Sequence, residues 1–164
     1  MTILGLDPGY GIVGYGFVKY DGRQFTPIQF GAIRTEPNTP MPTRLCEIYN
    51  DLATLLDAFH PDEAAVEELY FNQNITTGIQ VAQARGVLLL GLAQKGLSPV
   101  SYSPSQVKMS VVGYGKAEKH QVMEMTRILL GLERIPRPDD AADALAVALC
   151  HAHTSRFGKL FGIR

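Results

Sequence analysis

The sequence predicts an α/β fold, a five-stranded mixed sheet of three antiparallel strands then two parallel ones, with helices on both faces. Three observations predict it. Residues 1–34 hold three apolar segments joined by Pro-Gly and Asp-Gly turns, which read as antiparallel strands. From Thr43 onward, apolar residues recur at helical spacing. Two short apolar runs, Ala64-Ala65-Val66 and Val100 to Ser103, interrupt the helices, and strands reached through helical crossovers lie parallel to the strand they return to.

The first strand, Ile3-Leu4-Gly5-Leu6, runs into Asp7, and Pro8-Gly9 turns the chain into a second strand from Ile12. Glycine weakens a strand interior, so four glycines between 9 and 16 predict close approach of something large. A nucleic-acid or nucleotide backbone is one candidate. The competing reading makes Asp7-Pro8-Gly9 a simple hairpin turn. Asp21-Gly22 closes the next hairpin, and Phe25 to Arg34 is the third strand.

A proline-rich break, residues 36–42, leads into a helix from about Thr43 to Phe59, with Leu45, Ile48, Leu52, Leu55, Leu56 and Phe59 on one stripe. His60-Pro61-Asp62 ends it, and the short strand then delivers Glu67-Glu68. Asn74 and Thr76 are candidate caps for a long helix that ends at Gly96 and carries Gly78, Gly86 and Gly91. Those glycines predict close packing on the sheet or against a second subunit. Ser103-Pro104-Ser105-Gln106 is a capping box opening a short helix through Val111. Ala117 to Leu130 is the next helix, with Val122, Met125, Leu129 and Leu130 inward. The last, rich in alanine and leucine, runs from Ala141 to about His153. One domain, 1–153, is expected, followed by a basic tail, 154–164.

Composition excludes several classes. At 46% hydrophobic and 19% charged, the 164 residues suit a globular domain. The longest apolar candidate, Val87 to Ala93, is too short to span a bilayer, and no signal peptide opens the chain, so a cytoplasmic protein without a membrane partner is expected. Cys46 and Cys150 are too few for a disulfide framework or zinc site and are expected to be buried thiols. Charge is divided: residues 1–75 hold ten acids and four bases, residues 76–164 six acids and eleven bases. Leu69 to Ala117 contains no acid but includes Arg85, Lys95, Lys108 and Lys116, a distribution that keeps a surface attractive to phosphate.

Several carboxylates sit where packing does not want them. Glu67 ends an apolar strand, and Asp140 and Asp143 lie three apart on a face that also carries Ala144 and Val147. A first-turn location accounts for Asp139 and Asp140 through the helix dipole, but not for Asp143 one turn deeper. A buried carboxylate is costly unless paired or metal-bound. Asp7, Glu67, Asp140 and Asp143 together make an all-oxygen set suited to Mg²⁺ or Mn²⁺.

The ordered blocks Leu6-Asp7-Pro8-Gly9, Ala65-Val66-Glu67, Gln83-Ala84-Arg85-Gly86, Val107-Lys108, Ala117-Glu118-Lys119 and Asp140 to Ala146 resemble the RuvC family from residue 1 to about His153. That family comprises Holliday-junction resolvases of ribonuclease H-like fold. The resemblance implies a homodimeric, Mg²⁺-dependent endodeoxyribonuclease that nicks two opposite strands of a four-way DNA junction and leaves 5′-phosphates. It implies that Asp7, Glu67, Asp140 and Asp143 are catalytic and hold two metal ions, Mn²⁺ substituting for Mg²⁺. Some relatives carry histidine at the Asp140 position. Lys108 and Lys119 fall on DNA-contacting lysines, and Tyr70 on an aromatic, commonly Phe, that stacks on a base. Arg85 is expected at the DNA or as a clamp on the helix face. The helix from Gly78 to Lys95 is the expected dimer seam, and RuvA and RuvB are the implied partners. Two other readings use the same residues: an actin-like ATPase, which would need a second domain, and a ribonuclease H-like nuclease or binding module acting on other DNA or RNA structures.

Overall fold

A computed structural model describes residues 1–70 and 75–161, the last six as backbone only. Strands β1 (Thr2–Asp7), β2 (Ile12–Tyr20), β3 (Phe25–Arg34), β4 (Glu63–Glu67) and β5 (Val100–Tyr102) form one sheet in the order β3-β2-β1-β4-β5. β1 pairs antiparallel with β2, and β2 with β3, whereas β4 runs parallel to both β1 and β5. The three-plus-two mixed sheet is therefore the one predicted. Pro27, which has no N–H to donate, is accommodated because β3 is an edge strand.

The pleat of the sheet divides the core in two. Leu4, Leu6, Val13, Phe17, Ala64 and Val66 point to one face, where helices α1 (Met41–Phe59) and α2 (Ile75–Gln94) cover them. Ile3, Val18, Ala65 and Tyr102 point to the other, beneath α3 (Pro104–Val112), α4 (Lys119–Leu129) and α5 (Asp139–Phe161). The expected α1 stripe is the buried one: Ile48 and Leu52 are fully enclosed and Leu56 nearly so, each burial worth about 1.5–3 kcal/mol.

Close approach at the strand glycines is real, but a nucleotide or nucleic-acid backbone, the candidate considered from the sequence, is not what fills it. A Cβ built on Gly5 would stand 2.0 Å from the Ala144 carbonyl oxygen, one on Gly14 2.0 Å from that of Asp140, and one on Gly16 2.6 Å from Leu145 Cδ2. Helix α5 lies directly on the bare strip. Its small side chains, Ala141, Ala144 and Ala148, let the two backbones meet, and all three are essentially inaccessible.

Other differences are local. Helix α1 begins at Met41, two residues before the expected start, because Pro42 sits in the first turn, where a missing N–H costs nothing. Cys46 is exposed, one position off the apolar stripe, while Cys150 is buried as expected. Helix α4 starts at Lys119, leaving Ala117 buried in the preceding turn. Helix α5 continues past His153 to Phe161, with the Thr154 and Ser155 hydroxyls donating back to the carbonyls of Cys150 and Ala152. Thr76 lies inside the first turn of α2 rather than capping it, and Asn74 falls outside the described residues. The 20 residues of α2 are also apolar enough by composition to cross a membrane, contrary to the expectation from Val87 to Ala93. Ala84, Leu88 and Leu92 are nevertheless fully buried in the core. The Ser103 capping box forms as predicted: the Gln106 N–H donates to Ser103 Oγ at 3.2 Å, and the Ser103 N–H to Gln106 Oε1 at 2.8 Å.

Candidate active site

The site is assembled at the end of the central strands. In the parallel β1–β4 pair the register places Leu6 beside Val66, so Asp7 and Glu67, next on each strand, emerge side by side. Both follow the parity of Gly5 and Ala65, whose side of the sheet is the one covered by α5. Asp7 also stands opposite Gly14 on β2, and the backbone of Asp140 rests on that glycine. Asp143 follows one helical turn further along α5 and accepts a hydrogen bond from Lys119 Nζ at 3.0 Å. Three elements thus bring the four predicted carboxylates to one end of the sheet.

Their electrostatics reflect crowding. Burial, then the charges of Glu67, Asp143 and Asp140, push the Asp7 carboxyl up to about 9. Burial also raises Glu67, against a hydrogen bond shared with Asp7 and the nearby charges of Lys119 and Lys108. Asp143 is raised by burial and restrained by Lys119. Asp140 is not neutralised by Arg137, its nearest base in sequence, because the Arg137 guanidinium pairs with Asp139 instead.

A cleft of about 200 Å³ opens beside the carboxylates, bordered by Glu67, Asp143, Lys108 and Lys119 and floored by Val107 and Val122. Lys108 is half-buried at its wall, and Lys119 is exposed at its rim. Tyr70, three residues beyond Glu67, is 60% exposed. Arg85 takes the clamp geometry: its Nε donates to the Glu67 carbonyl at 3.4 Å and an Nη to Ser101 Oγ at 2.7 Å, tying α2 to the end of β4 and the middle of β5.

Among the described residues no three His, Cys, Asp or Glu side chains are already drawn together as a closed metal cage. The donor chemistry nevertheless fits a hard divalent cation. The oxygens are all carboxylate, they are withdrawn from bulk water, and their mutual repulsion is what such a cation would relieve.

The description "Crossover junction endodeoxyribonuclease RuvC" belongs to the family model that matches residues 3–151. The chain belongs to the RuvC family. RuvC from Heliobacterium modesticaldum is 52% identical over 158 residues, covering 96% of this chain and 98% of the relative. RuvC from Alkaliphilus metalliredigens is 52% identical over 164 residues, covering all of both chains. The solved Thermus thermophilus RuvC in complex with Holliday junction substrate superposes with a TM-score of 0.92 at 35% identity, covering 96% of each chain. The sheet is thus the RuvC sheet, of ribonuclease H-like fold.

Sequence reasoning flagged Gly14 as a place of close approach but missed that α5 is what approaches, and it missed Gly5 and Ser101. Gly5 and Gly14 set how deeply α5 settles, and Ser101 orients Arg85. Gly5 and the identity of the helix had a signal available: glycines on adjacent strands together with an alanine-rich helix. Ser101 had none, since its partner lies on a different element.

Proposed function

We propose that this RuvC-family chain resolves four-way DNA junctions as a homodimer, each subunit nicking one of two opposite strands with two Mg²⁺ ions held by Asp7, Glu67, Asp140 and Asp143. The observation that carries the proposal is the convergence of these acids from β1, β4 and α5 beside a cleft rimmed by Lys108 and Lys119. When bound, the two ions would activate the attacking water and stabilise the leaving oxygen. Asp7 would serve both ions, Glu67 one of them and Asp140 with Asp143 the other. Arg85, through the Glu67 carbonyl, keeps that side chain at the strand end. Lys119, whose ammonium now faces Asp143, turns to the scissile phosphate as the acid is engaged, and Lys108 holds the adjacent phosphate. Tyr70 offers its open ring to an unpaired base near the crossover. Water adds to phosphorus as the bond to the 3′ oxygen breaks, leaving a 5′-phosphate and a 3′-hydroxyl that can be religated.

Two nicks require two sites, and α2 supplies a surface for pairing them. Ile75, Ile79, Gly86 and Leu90 lie along one side of the helix; the three large side chains are more than half exposed, and among the described residues nothing lies within 4 Å of the Gly86 Cβ position. A second copy covering this stripe accounts for its apolar character without a membrane. The protein then works in the bacterial cytoplasm, where the DNA is, and family resemblance makes a RuvA–RuvB branch-migration complex the expected partner.

The test is cleavage of a mobile four-way junction and a matched linear duplex, with Mg²⁺ and with EDTA, by wild type and Asp7→Asn. Symmetric, metal-dependent nicks confined to the junction and absent in Asp7→Asn are expected. Binding without cleavage by the wild type in Mg²⁺ and in Mn²⁺ would return the protein to the class of junction-binding modules.

A further inference from the structure

We propose that the turn joining α3 to α4 carries a second DNA contact, in which Lys116 and Tyr114 grip the phosphodiester backbone of a duplex arm flanking the cut. This rests on the junction-resolving function proposed above and adds residues that the carboxylate site does not use.

The turn is placed for the role. Helix α3 begins at the cleft with Pro104, Val107 and Lys108, and α4 returns to it with Lys119. Between them the chain folds back along α3 instead of looping into solvent. The Gly113 N–H donates to the Met109 carbonyl at 2.9 Å, with Gly113 in the left-handed region at φ +85°. A Cβ on Gly115 would lie 2.8 Å from Ser105 Oγ, so the backbone there presses on the first turn of α3. The Ala117 N–H donates to the Tyr114 carbonyl at 3.1 Å, and the Ala117 side chain is buried. The turn is anchored before, within and after its tip.

What this anchored backbone presents is polar and cationic. Tyr114 is 57% exposed, and Lys116 is also exposed. A large aromatic on a rigid turn that contributes little to the core, beside a lysine, matches a surface that meets sugar and phosphate. Charge points the same way. No acid occurs from Leu69 to Ala117, and Lys116 follows the Gly115 backbone that packs on Ser105, next to the cleft residue Pro104, so it adds a cation to the side of α3 that carries the rim of Lys108 and Lys119. A duplex leaving the cleft along this rim would pass over the turn, its phosphates meeting Lys116 and the Tyr114 hydroxyl.

The experiment measures junction affinity at several salt concentrations for wild type, Lys116→Ala, Lys116→Glu and Tyr114→Ala, together with cleavage at saturating junction. Loss of one phosphate contact should flatten the salt dependence of Lys116→Ala by about 0.9 in log–log slope, so affinity falls about three-fold less than wild type between 50 and 200 mM salt. Lys116→Glu should bind still more weakly, and Tyr114→Ala should lose affinity, in both cases with a larger effect on the junction concentration needed for half-maximal cleavage than on the rate at saturation. On junctions whose arms are cut back to a few base pairs, wild type should fall to the variants' affinity. Variants that bind and cut like wild type at every salt concentration would overturn the contact while leaving the resolvase reading intact. A wild-type protein that neither binds nor cuts the junction would overturn both.

Discussion

In Asp7 the demands of folding and of the proposed chemistry oppose each other through a single carboxyl group. It ionises near 3.8 when unperturbed, but burial and three neighbouring acids raise it to about 9 in the folded protein. Between those values the native state retains a proton that the unfolded chain has released. Metal-free stability attributable to this group should therefore be greatest below about pH 4, decline as pH rises through the window and level off above about 9. Asp7→Asn removes the penalty while keeping the shape. In EDTA at pH 8 the variant should be more stable than wild type by about 0.5–2 kcal/mol, with the difference vanishing near pH 4. Thermal melts across this range provide the check. Addition of Mg²⁺ should favour the wild type, since binding to the native state alone raises its stability.

At the scale of elements, the proposed active site depends on how closely α5 lies on β1 and β2. Two of its carboxylates belong to α5, so a small lift of the helix moves both away from Asp7 and Glu67. The helix is held at both ends of this contact. Near its start, Gly5 and Gly14 admit its backbone; two turns beyond Asp143, the buried His151 ring bridges Glu63 at 2.7 Å and Tyr102 at 2.9 Å. Gly14→Val should force the helix outward, costing about 1–3 kcal/mol or more in urea denaturation and most of the cleavage activity. Gly11→Ala, where nothing lies within 4 Å, is the matched control and should retain both. The element scale also explains Arg85: a charged residue on an apolar helix fixes Glu67 through a backbone carbonyl, a link that sequence spacing does not show.

For the whole molecule, the decisive feature is the separation of its surfaces. The acid-free segment and the start of α4 supply the cations around the cleft, Lys108 and Lys119, while the apolar stripe left uncovered among the described residues lies on α2, across the sheet from α5. A dimer paired through this stripe leaves both clefts free for DNA. Gly86→Leu fills space that is empty in one subunit and would be contested in two. Sedimentation should find the variant folded but shifted from dimer toward monomer, with paired nicking replaced by single nicks; an undisturbed dimer would place the seam elsewhere.

The sequence alone determined the mixed sheet, because alternation, turn dipeptides and helical periodicity are local and each element's type follows from its own residues. It also singled out Asp7, Glu67 and Asp143, since a carboxylate ending an apolar strand or facing the core is conspicuous on energetic grounds. Resemblance to a family then supplied the chemistry. Only the tertiary structure decided what fills the bare glycine strip, because a glycine records that something comes close and not what it is. Likewise, only the fold could turn Arg85 onto the Glu67 carbonyl, pair Arg137 with Asp139 instead of Asp140, and leave an apolar side of α2 uncovered. Each of these is a relation between residues distant in sequence or between competing neighbours, settled when the helices take their places on the sheet.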